Sequence, residues 1–365
     1  MVTRNLQTAA VDVAAVMKKA LDLKASDIHL MPGRPPMLRI NGQLTPLPDS
    51  PILTAQDTLA VGRGMTNQEQ WNKFEKTREL DLSTSRAGMG RFRVNLYWQR
   101  GSVAIALRLI PHEIPEFETL GVPVILKQFA MFDHGLVLVT GPTGSGKSTT
   151  LAAIIDHINE NRTCHIVTIE DPIEHLHRHK QSIVNQREMH DDTLSFHEAL
   201  RHVLRQDPNV ILIGEMRDLE TIQTALTLAE TGHLVLATLH TGDAPQALSR
   251  IIDAYPPHQQ TQARTQLSLV LICIMVQHLI RKRDNSGRVL AYELLVATQA
   301  VGHLIRSGEI QQIYSTMQSG ISEGMSTLNA SLMRLYREGQ ITREDMIHMS
   351  TRPKEILEQL GKGQL

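Results

Sequence analysis

The segment Gly141–Ser148, with the sequence GPTGSGKS, has the glycine spacing of a phosphate-binding loop. It follows the apolar run Leu136–Thr140 and precedes apolar residues at helical spacing, so strand, loop and helix occur in the required order. Glycines let successive backbone N–H groups point at a polyphosphate. We therefore expect ATP binding and hydrolysis, with Lys147 neutralising phosphate charge and Ser148 binding Mg²⁺. The expected nucleotide contacts in this loop are Gly141, Pro142, Thr143, Gly144, Ser145, Gly146, Lys147, Ser148 and Thr149.

Acidic residues follow two other apolar runs that read as strands. Glu215 comes after Val210–Ile213, and a carboxylate at that position can hold Mg²⁺ or orient the attacking water. Glu170, Asp171 and Glu174 follow another such run, and we expect Glu170 to be the general base or to position water. The alternative for each group is a carboxylate on the surface that is simply solvated.

Histidines flank a fourth apolar run, Leu234–Leu239. His233 precedes it and His240 follows it, where an imidazole could sense the γ-phosphate through a hydrogen bond. The alternative is a pair of satisfied polar core residues, and the spacing offers no third and fourth metal ligand. His175, His177 and His179 are expected to form a solvated loop rather than a site.

Three arginines, Arg91, Arg93 and Arg108, occur in two alternating segments near the N-terminus. A guanidinium stabilises the charge that spreads over the γ-oxygens during phosphoryl transfer. Arg91 and Arg93 are expected on one face of a strand, which is also how an ordinary surface strand looks, so position alone leaves both interpretations open.

Composition restricts the class of protein. The chain is 41% hydrophobic and 21% charged, as in a soluble globular protein. Its 37 basic and 38 acidic residues lack the positive excess of a dedicated nucleic-acid binder. The most apolar segment, Leu267–Val276, is shorter than the roughly 20 residues that span a bilayer, and we expect a buried helix there.

The order of patterns predicts two domains. Residues 1–112 read as a small α+β unit, with an Asn41-Gly42 hairpin turn. The segment around 113–119, with two prolines within Ile110–Thr119, reads as a linker. From 120 to 365 apolar strands alternate with helices, which indicates a parallel sheet covered on both faces, and helices are expected to dominate from about 257.

Long strings of this sequence resemble the secretion ATPase superfamily of type II and type IV systems, and within it the PilT/PilU-type ATPases that retract type IV pili. The strings are SDIHL at Ser26–Leu30, GRFRVN at Gly90–Asn95, TGPTGSGKSTTLAAIID at Thr140–Asp156, TIEDPIE at Thr168–Glu174, NQRE at Asn185–Glu188, GEMRDLET at Gly214–Thr221 and AETGHLVLATLHT at Ala229–Thr241.

The resemblance implies a PAS-like N-terminal domain and a RecA-like motor domain. It implies roles in nucleotide binding and turnover for an Asp box (Glu170, Asp171, Glu174), a Walker B segment with Glu215, a His box (His233, His240), and Arg93 and Arg108. It also implies a cytoplasmic homo-hexamer, peripherally associated with the inner membrane through the platform protein of the pilus machine. A paralogous retraction ATPase is a further implied partner; nucleic-acid binding and direct membrane insertion are not expected.

Other functions stay open at this stage: a type IVB or type II secretion ATPase, a nucleic-acid translocase, and a slow regulatory subunit. The two cysteines cannot form the four-cysteine zinc motif of assembly-type relatives, which favours retraction. The retraction motif AIRNLIRE, however, is only partly kept in Ala300–Ser307, which retains Leu304, Ile305 and Arg306.

Overall fold

The computed structural model describes residues 11–40, 42–86, 90–110 and 114–362. The chain divides into two compact units, Met1–Glu113 and Ile114–Leu365. Asn41 of the expected hairpin turn lies outside the described residues, as does Glu113 of the expected linker. The 3₁₀ turn Phe117–Leu120 begins with a side chain that is buried in the core of the second unit. Part of the segment expected as linker therefore packs as part of that unit.

In its described residues, the first unit contains an antiparallel sheet of six strands with three helices. The strand order is β3-β2-β1-β6-β5-β4. The strands are β1 Asp27–Leu30, β2 Met37–Ile40, β3 Gln43–Pro46, β4 Glu79–Arg86, β5 Gly90–Gln99 and β6 Ser102–Ile110. The helices are α1 Val13–Asp22, α2 Ala55–Met65 and α3 Gln68–Thr77. Capping boxes start α2 and α3, because Thr54 and Asn67 each exchange hydrogen bonds with the residue three positions on.

Alternation of side chains explains the core of this unit. Phe92, Val94 and Leu96 of β5 are almost fully buried, whereas Arg93 between them is exposed. This is the period of two expected from the sequence. Strand β4, with the sequence ELDLSTSR, was not predicted, because it has too few apolar residues to show a strand pattern.

The second unit is built on a seven-stranded sheet in the order β13-β12-β7-β11-β10-β8-β9. Its strands are β7 Gly135–Thr140, β8 His165–Glu170, β9 Ile183–Glu188, β10 Val210–Ile213, β11 Leu234–Leu239, β12 Leu271–Arg281 and β13 Arg288–Val296. The strands β7 to β12 run parallel, and β13 pairs antiparallel with β12. The carboxyl ends of the parallel strands therefore share one edge, where ligands of such sheets bind.

Helices cover both faces of this sheet. Alternate strand residues enter two separate cores: Leu136 and Leu138 pack in one, and Val137 and Val139 in the other. The helices are α4 Ile125–Ala130, α5 Lys147–Asn161, α6 Phe196–Val203, α7 Leu219–Glu230, α8 Ala244–Asp253, α9 Gln260–Val270, α10 Gln299–Ser307, α11 Ile313–Ser319, α12 Leu328–Arg337, α13 Arg343–Met349 and α14 Pro353–Lys362. Short 3₁₀ turns also occur at Leu204–Gln206, Ile310–Gln312 and Ile321–Glu323.

The expectation of a buried helix at Leu267–Val276 is wrong beyond Val270, where α9 ends and β12 begins. Strand β12 lies between β7 and β13, so Leu271–Gln277 is buried on both faces of the sheet. A continuously apolar run of this length has no period that separates strand from helix. The region from 257 onward is consequently not helical throughout, and helices dominate only from Gln299.

In the described part of the chain, none of the helices is both long enough and apolar enough to cross a bilayer.

Candidate nucleotide site

The glycine-rich loop lies between β7 and α5, at the carboxyl edge of the parallel sheet. Gly141 adopts a φ of +136°, and a Cβ there would approach the carbonyl oxygen of Gln277 on β12 to 2.4 Å. Gly146 has a φ of +91° directly before the first turn of α5. Only glycine fits both positions without strain. The loop is therefore shaped by its glycines so that its backbone and the start of α5 face a ligand.

Lys147 is the first residue of α5, and only 8% of it is exposed. Its Nζ donates hydrogen bonds to the carbonyl oxygens of Gly141 at 2.8 Å and Pro142 at 3.1 Å. Burial lowers the pKa of Lys147, and the carboxylates of Glu215 and Glu174 oppose that effect. The hydrogen-bond partners of this buried ammonium are neutral carbonyl oxygens. An anionic ligand would stabilise its charge more strongly than they do.

Glu215 follows β10 and is held by two basic side chains. Arg217 lies 2.8 Å from one carboxylate oxygen, and Nε2 of His240 lies 3.3 Å from the other. Partial burial raises the pKa of Glu215, but the Arg217 hydrogen bond and the charge of His240 outweigh it, so the pKa is lowered. The carboxylate is thus kept ionised.

Glu170 ends β8 in a different environment. Its Oε1 accepts hydrogen bonds from Thr168 Oγ1 at 2.6 Å and from Gln186 Nε2 at 3.1 Å. Burial, assisted by the negative charges of Glu174 and Glu188, raises the pKa of Glu170 to about 7 against the effect of these two donors. Two carboxylates of one site are therefore tuned in opposite directions, as a base and a permanently charged group require.

These groups line one pocket of about 520 Å³. It brings together side chains that follow β7, β8, β10 and β11, as the parallel topology requires. The expected residues in its wall are Thr143, Gly144, Gly146, Lys147, Ser148, Thr149, Glu170, Asp171, Glu174, Glu215 and His240. A larger cavity of about 640 Å³, lined by Asp243, Glu293 and Tyr314 among others, does not include the glycine-rich loop. The glycine-rich loop, Lys147 and the acidic residues all lie in the smaller pocket, which makes it the candidate nucleotide site.

Comparison with known proteins agrees with this geometry. The family described as "Type II/IV secretion system protein" matches residues 4–348. The chain belongs to this family. The type IV pilus retraction ATPase PilT of Pseudomonas aeruginosa is 45% identical over 334 residues, which are 92% of this chain and 96% of that protein. The type IV pilus ATPase PilU of the same organism is 42% identical over 332 residues, 91% of this chain and 87% of that protein.

A crystal structure of the pilus retraction motor PilT with bound ADP is similar over 95% of this chain and 99% of that one, with a TM-score of 0.90 and 49% identity. This similarity confirms the expected α/β fold class, with an N-terminal unit and a RecA-like ATPase unit. The PAS-like character of the N-terminal unit stays a prediction. This member of the type II/IV secretion family is accordingly an ATPase that binds nucleotide.

His233 does not line the pocket of this family member. It precedes β11 at the opposite end from His240, and its Nδ1 lies 3.0 Å from the carbonyl oxygen of Leu228. Six strand residues separate the two histidines, about 20 Å at the rise of an extended chain. In this chain His233 contacts the end of α7 and not the pocket wall, and its role in nucleotide binding stays a prediction.

The expectation of a solvated loop at His175, His177 and His179 is wrong for the first two, which are half-buried and line the pocket. Burial lowers the pKa of His177 to about 4 and also lowers that of His175, so both imidazoles are neutral at physiological pH. The pocket wall also contains residues that the sequence did not single out: Leu151, Ala152, Thr168, Pro172, Phe196, Leu212, Gly214, Arg217, Thr238, Leu279 and Arg288.

Arg93 and Arg108 belong to the first unit. Arg93 is exposed on β5, and Nε of Arg108 donates to Asp27 Oδ1 at 2.9 Å. The two arginines face each other across the β5–β6 pair. Their action on the nucleotide stays a prediction.

The pocket contains oxygen donors that could bind Mg²⁺. In the described ranges, no group of three or more His, Cys, Asp or Glu side chains is arranged as a metal cage. Mg²⁺ is usually held by one or two protein oxygens together with water and substrate phosphates, so a cage is not needed. The Ser148 hydroxyl and the Glu215 carboxylate are hard oxygen donors on the wall of the same pocket, and they fit that requirement.

Proposed function

We propose that this ATPase is the motor that powers retraction of type IV pili, and hence twitching motility. One observation carries the proposal: a pocket that unites Lys147, Glu170 and Glu215 occurs in a chain 45% identical to a pilus retraction ATPase over 92% of its length. Pilus retraction is favoured over secretion because the retraction motor structure is 49% identical to this chain, whereas a DotB ATPase structure with the same coverage is 25% identical.

ATP binding starts at the glycine-rich loop. Backbone N–H groups of the loop and of the first turn of α5 bind the phosphates, and Lys147 exchanges its two carbonyl contacts for phosphate oxygens. Charged partners are stronger than neutral ones for an ammonium, so the exchange stabilises the complex. Ser148 and Glu215 would hold Mg²⁺, which would supply positive charge against the phosphates.

Glu170 is the base of the reaction. A carboxylate with a pKa of about 7 is about half ionised near neutral pH, and its ionised form accepts a proton effectively. It takes a proton of the attacking water as the water oxygen bonds to the γ-phosphorus. The bond from the γ-phosphorus to the bridging oxygen breaks in the same step, and ADP leaves with that electron pair. Arg217 and His240 keep Glu215 ionised and oriented during the same step.

The quaternary structure and partners are part of this proposal. We infer a homo-hexamer that acts on the inner-membrane platform protein of the pilus machine, with a paralogous retraction ATPase as an additional partner. The chain would be cytoplasmic and peripherally associated with the inner membrane. Nucleic acid is not a proposed partner, since the net charge of −1 provides no general attraction to phosphate backbones.

A genetic experiment tests the function. Cells without this gene are complemented with the wild-type chain or with Lys147→Ala, and pilus number and twitching are measured. We expect the deletion strain to keep surface pili but lose retraction, and only the wild-type gene to restore it. Normal retraction in the deletion strain, with no second retraction ATPase present, would rule the proposal out.

A further inference from the structure

The side-chain amide of Gln186 has three hydrogen bonds at the edge of the nucleotide pocket. Its Nε2 donates to Glu170 Oε1 at 3.1 Å and to the carbonyl oxygen of His175 at 2.8 Å. Its Oε1 accepts from the backbone N–H of His177 at 2.8 Å. Both ends of the amide are thus engaged, and the donors and acceptors around it fix which end is oxygen.

Strand pairing explains how Gln186 reaches this position. In the parallel pair of β8 and β9, Thr168 is in register with Gln186 and Glu170 with Glu188. The side chains of Thr168 and Gln186 therefore lie on one face and converge on the same oxygen, Oε1 of Glu170. Within the described residues, Oε2 of Glu170 takes part in no such hydrogen bond and is the oxygen left to accept a proton.

We propose that Gln186 is a positioning residue, which orients the Glu170 carboxylate so that Oε2 faces the attacking water and which fixes the His175–His177 backbone beside it. This inference rests on the proposed ATPase mechanism and deepens it. Gln186 does not touch the reacting atoms itself. Its effect passes through Glu170 and through the pocket wall formed by the two histidines.

The groups around Glu170 determine how loss of Gln186 changes the pKa of Glu170. Glu174 and Glu188 raise the pKa of Glu170, as burial does, whereas the donors Thr168 and Gln186 lower it. The other titratable or charged groups of the surrounding pocket wall are Lys147, Asp171, His175, His177, Glu215, Arg217, His240 and Arg288. Removal of a donor favours the protonated carboxyl group, so loss of the Gln186 amide raises the pKa of Glu170 further.

Two variants distinguish the donor role of the Gln186 amide from its acceptor role. Gln186→Met removes all three hydrogen bonds and keeps a side chain of similar length. Gln186→Glu keeps an acceptor for the His177 N–H but loses the donor to Glu170 and adds a negative charge. Asn185→Leu is the matched control, because Asn185 is exposed on the same strand and contacts His165 instead. The measurements are kcat/KM for ATP between pH 5.5 and 9, and ADP affinity by fluorescence anisotropy.

Both Gln186 variants are expected to shift the acidic limb of the kcat/KM profile upward by about one pH unit, which lowers the rate about tenfold at pH 6. ADP affinity should stay within about twofold of wild type, since the phosphate loop is unchanged. ADP binding also reports that each variant is folded, and Gln186→Glu serves if Gln186→Met is unstable.

Several results would overturn this inference. One is an acidic limb at the wild-type pH in both variants; another is a wild-type profile for Gln186→Glu alone, which would reduce the role of Gln186 to anchoring the loop. These outcomes leave the proposed function intact if the wild-type chain hydrolyses ATP. A wild-type chain that hydrolyses no ATP would instead defeat the proposed function.

Discussion

Nε2 of His240 lies 3.3 Å from a carboxylate oxygen of Glu215, although the two residues follow different strands. Glu215 comes after β10 and His240 directly after β11, and these strands are parallel neighbours in register. Residues just beyond two such strands meet at one edge of the sheet. The contact links the acidic group that we assign to Mg²⁺ with the histidine expected to sense the γ-phosphate.

Glu215→Ala is expected to bind nucleotide while turnover falls by about 10²-fold or more, because phosphate binding by the loop is kept and an oriented charge is lost. Phosphate release and ADP titration measure the two effects separately. Glu220→Ala is the matched control, since Glu220 is an exposed carboxylate on α7. Wild-type turnover by Glu215→Ala would contradict the role given to this residue.

Lys147→Ala is expected to lose about 100-fold in affinity for ATP, which corresponds to the roughly 2–3 kcal/mol of a charged hydrogen-bonding partner. Equilibrium titration with a fluorescent nucleotide measures this. Lys180→Ala is the control, because that lysine pairs with Asp156 and Glu160 away from the loop. Equal losses in both variants would show that the effect is not specific to the phosphate site.

Glu170→Gln is expected to lose turnover. It is also expected to be more thermally stable than wild type at pH 8, and to have no such advantage at pH 4.5. The pKa of Glu170 is raised in the folded chain from 4.5 to about 7, so its contribution to stability is full below pH 4.5 and is lost as pH rises through about 7. An uncharged amide escapes that loss. Melting temperatures of both proteins at the two pH values test this, and an equal difference at each pH would contradict it.

Arg108→Ala is expected to slow turnover by about 10³-fold while ADP affinity stays unchanged, because a guanidinium finger acts on charge that develops in the transition state. The same assay applies to Arg93→Ala. Arg100→Ala is the control, since Arg100 is exposed in the turn between β5 and β6. If Arg108→Ala keeps normal turnover, its pairing with Asp27 is structural and the finger assignment fails.

The sequence predicted most accurately the buried strands that end next to acidic or histidine side chains. The buried strands β10 and β11 have the bounds expected from their apolar runs. The acidic residues at the end of β8 and after β10 were singled out by their place at the ends of these strands. Strand β9 was missed as a secondary-structure element because most of its residues are polar and partly exposed. Strand β12 was partly misread because it is apolar on both faces.

The environment of each side chain was harder to predict than its position. The neutrality of His177 comes from burial in the folded pocket, and nothing in its local sequence indicates that burial. Gln186 was part of a recognised string, yet its contacts depend on the register between β8 and β9. Neither property has a local sequence signal, since both depend on residues distant along the chain.

Magnesium-dependent release of phosphate from ATP by the purified wild-type chain tests the central claim most directly. We predict saturable hydrolysis that requires Mg²⁺ and disappears in Lys147→Ala and in Glu170→Gln. A folded wild-type chain that takes up no magnesium nucleotide and releases no phosphate would contradict the account.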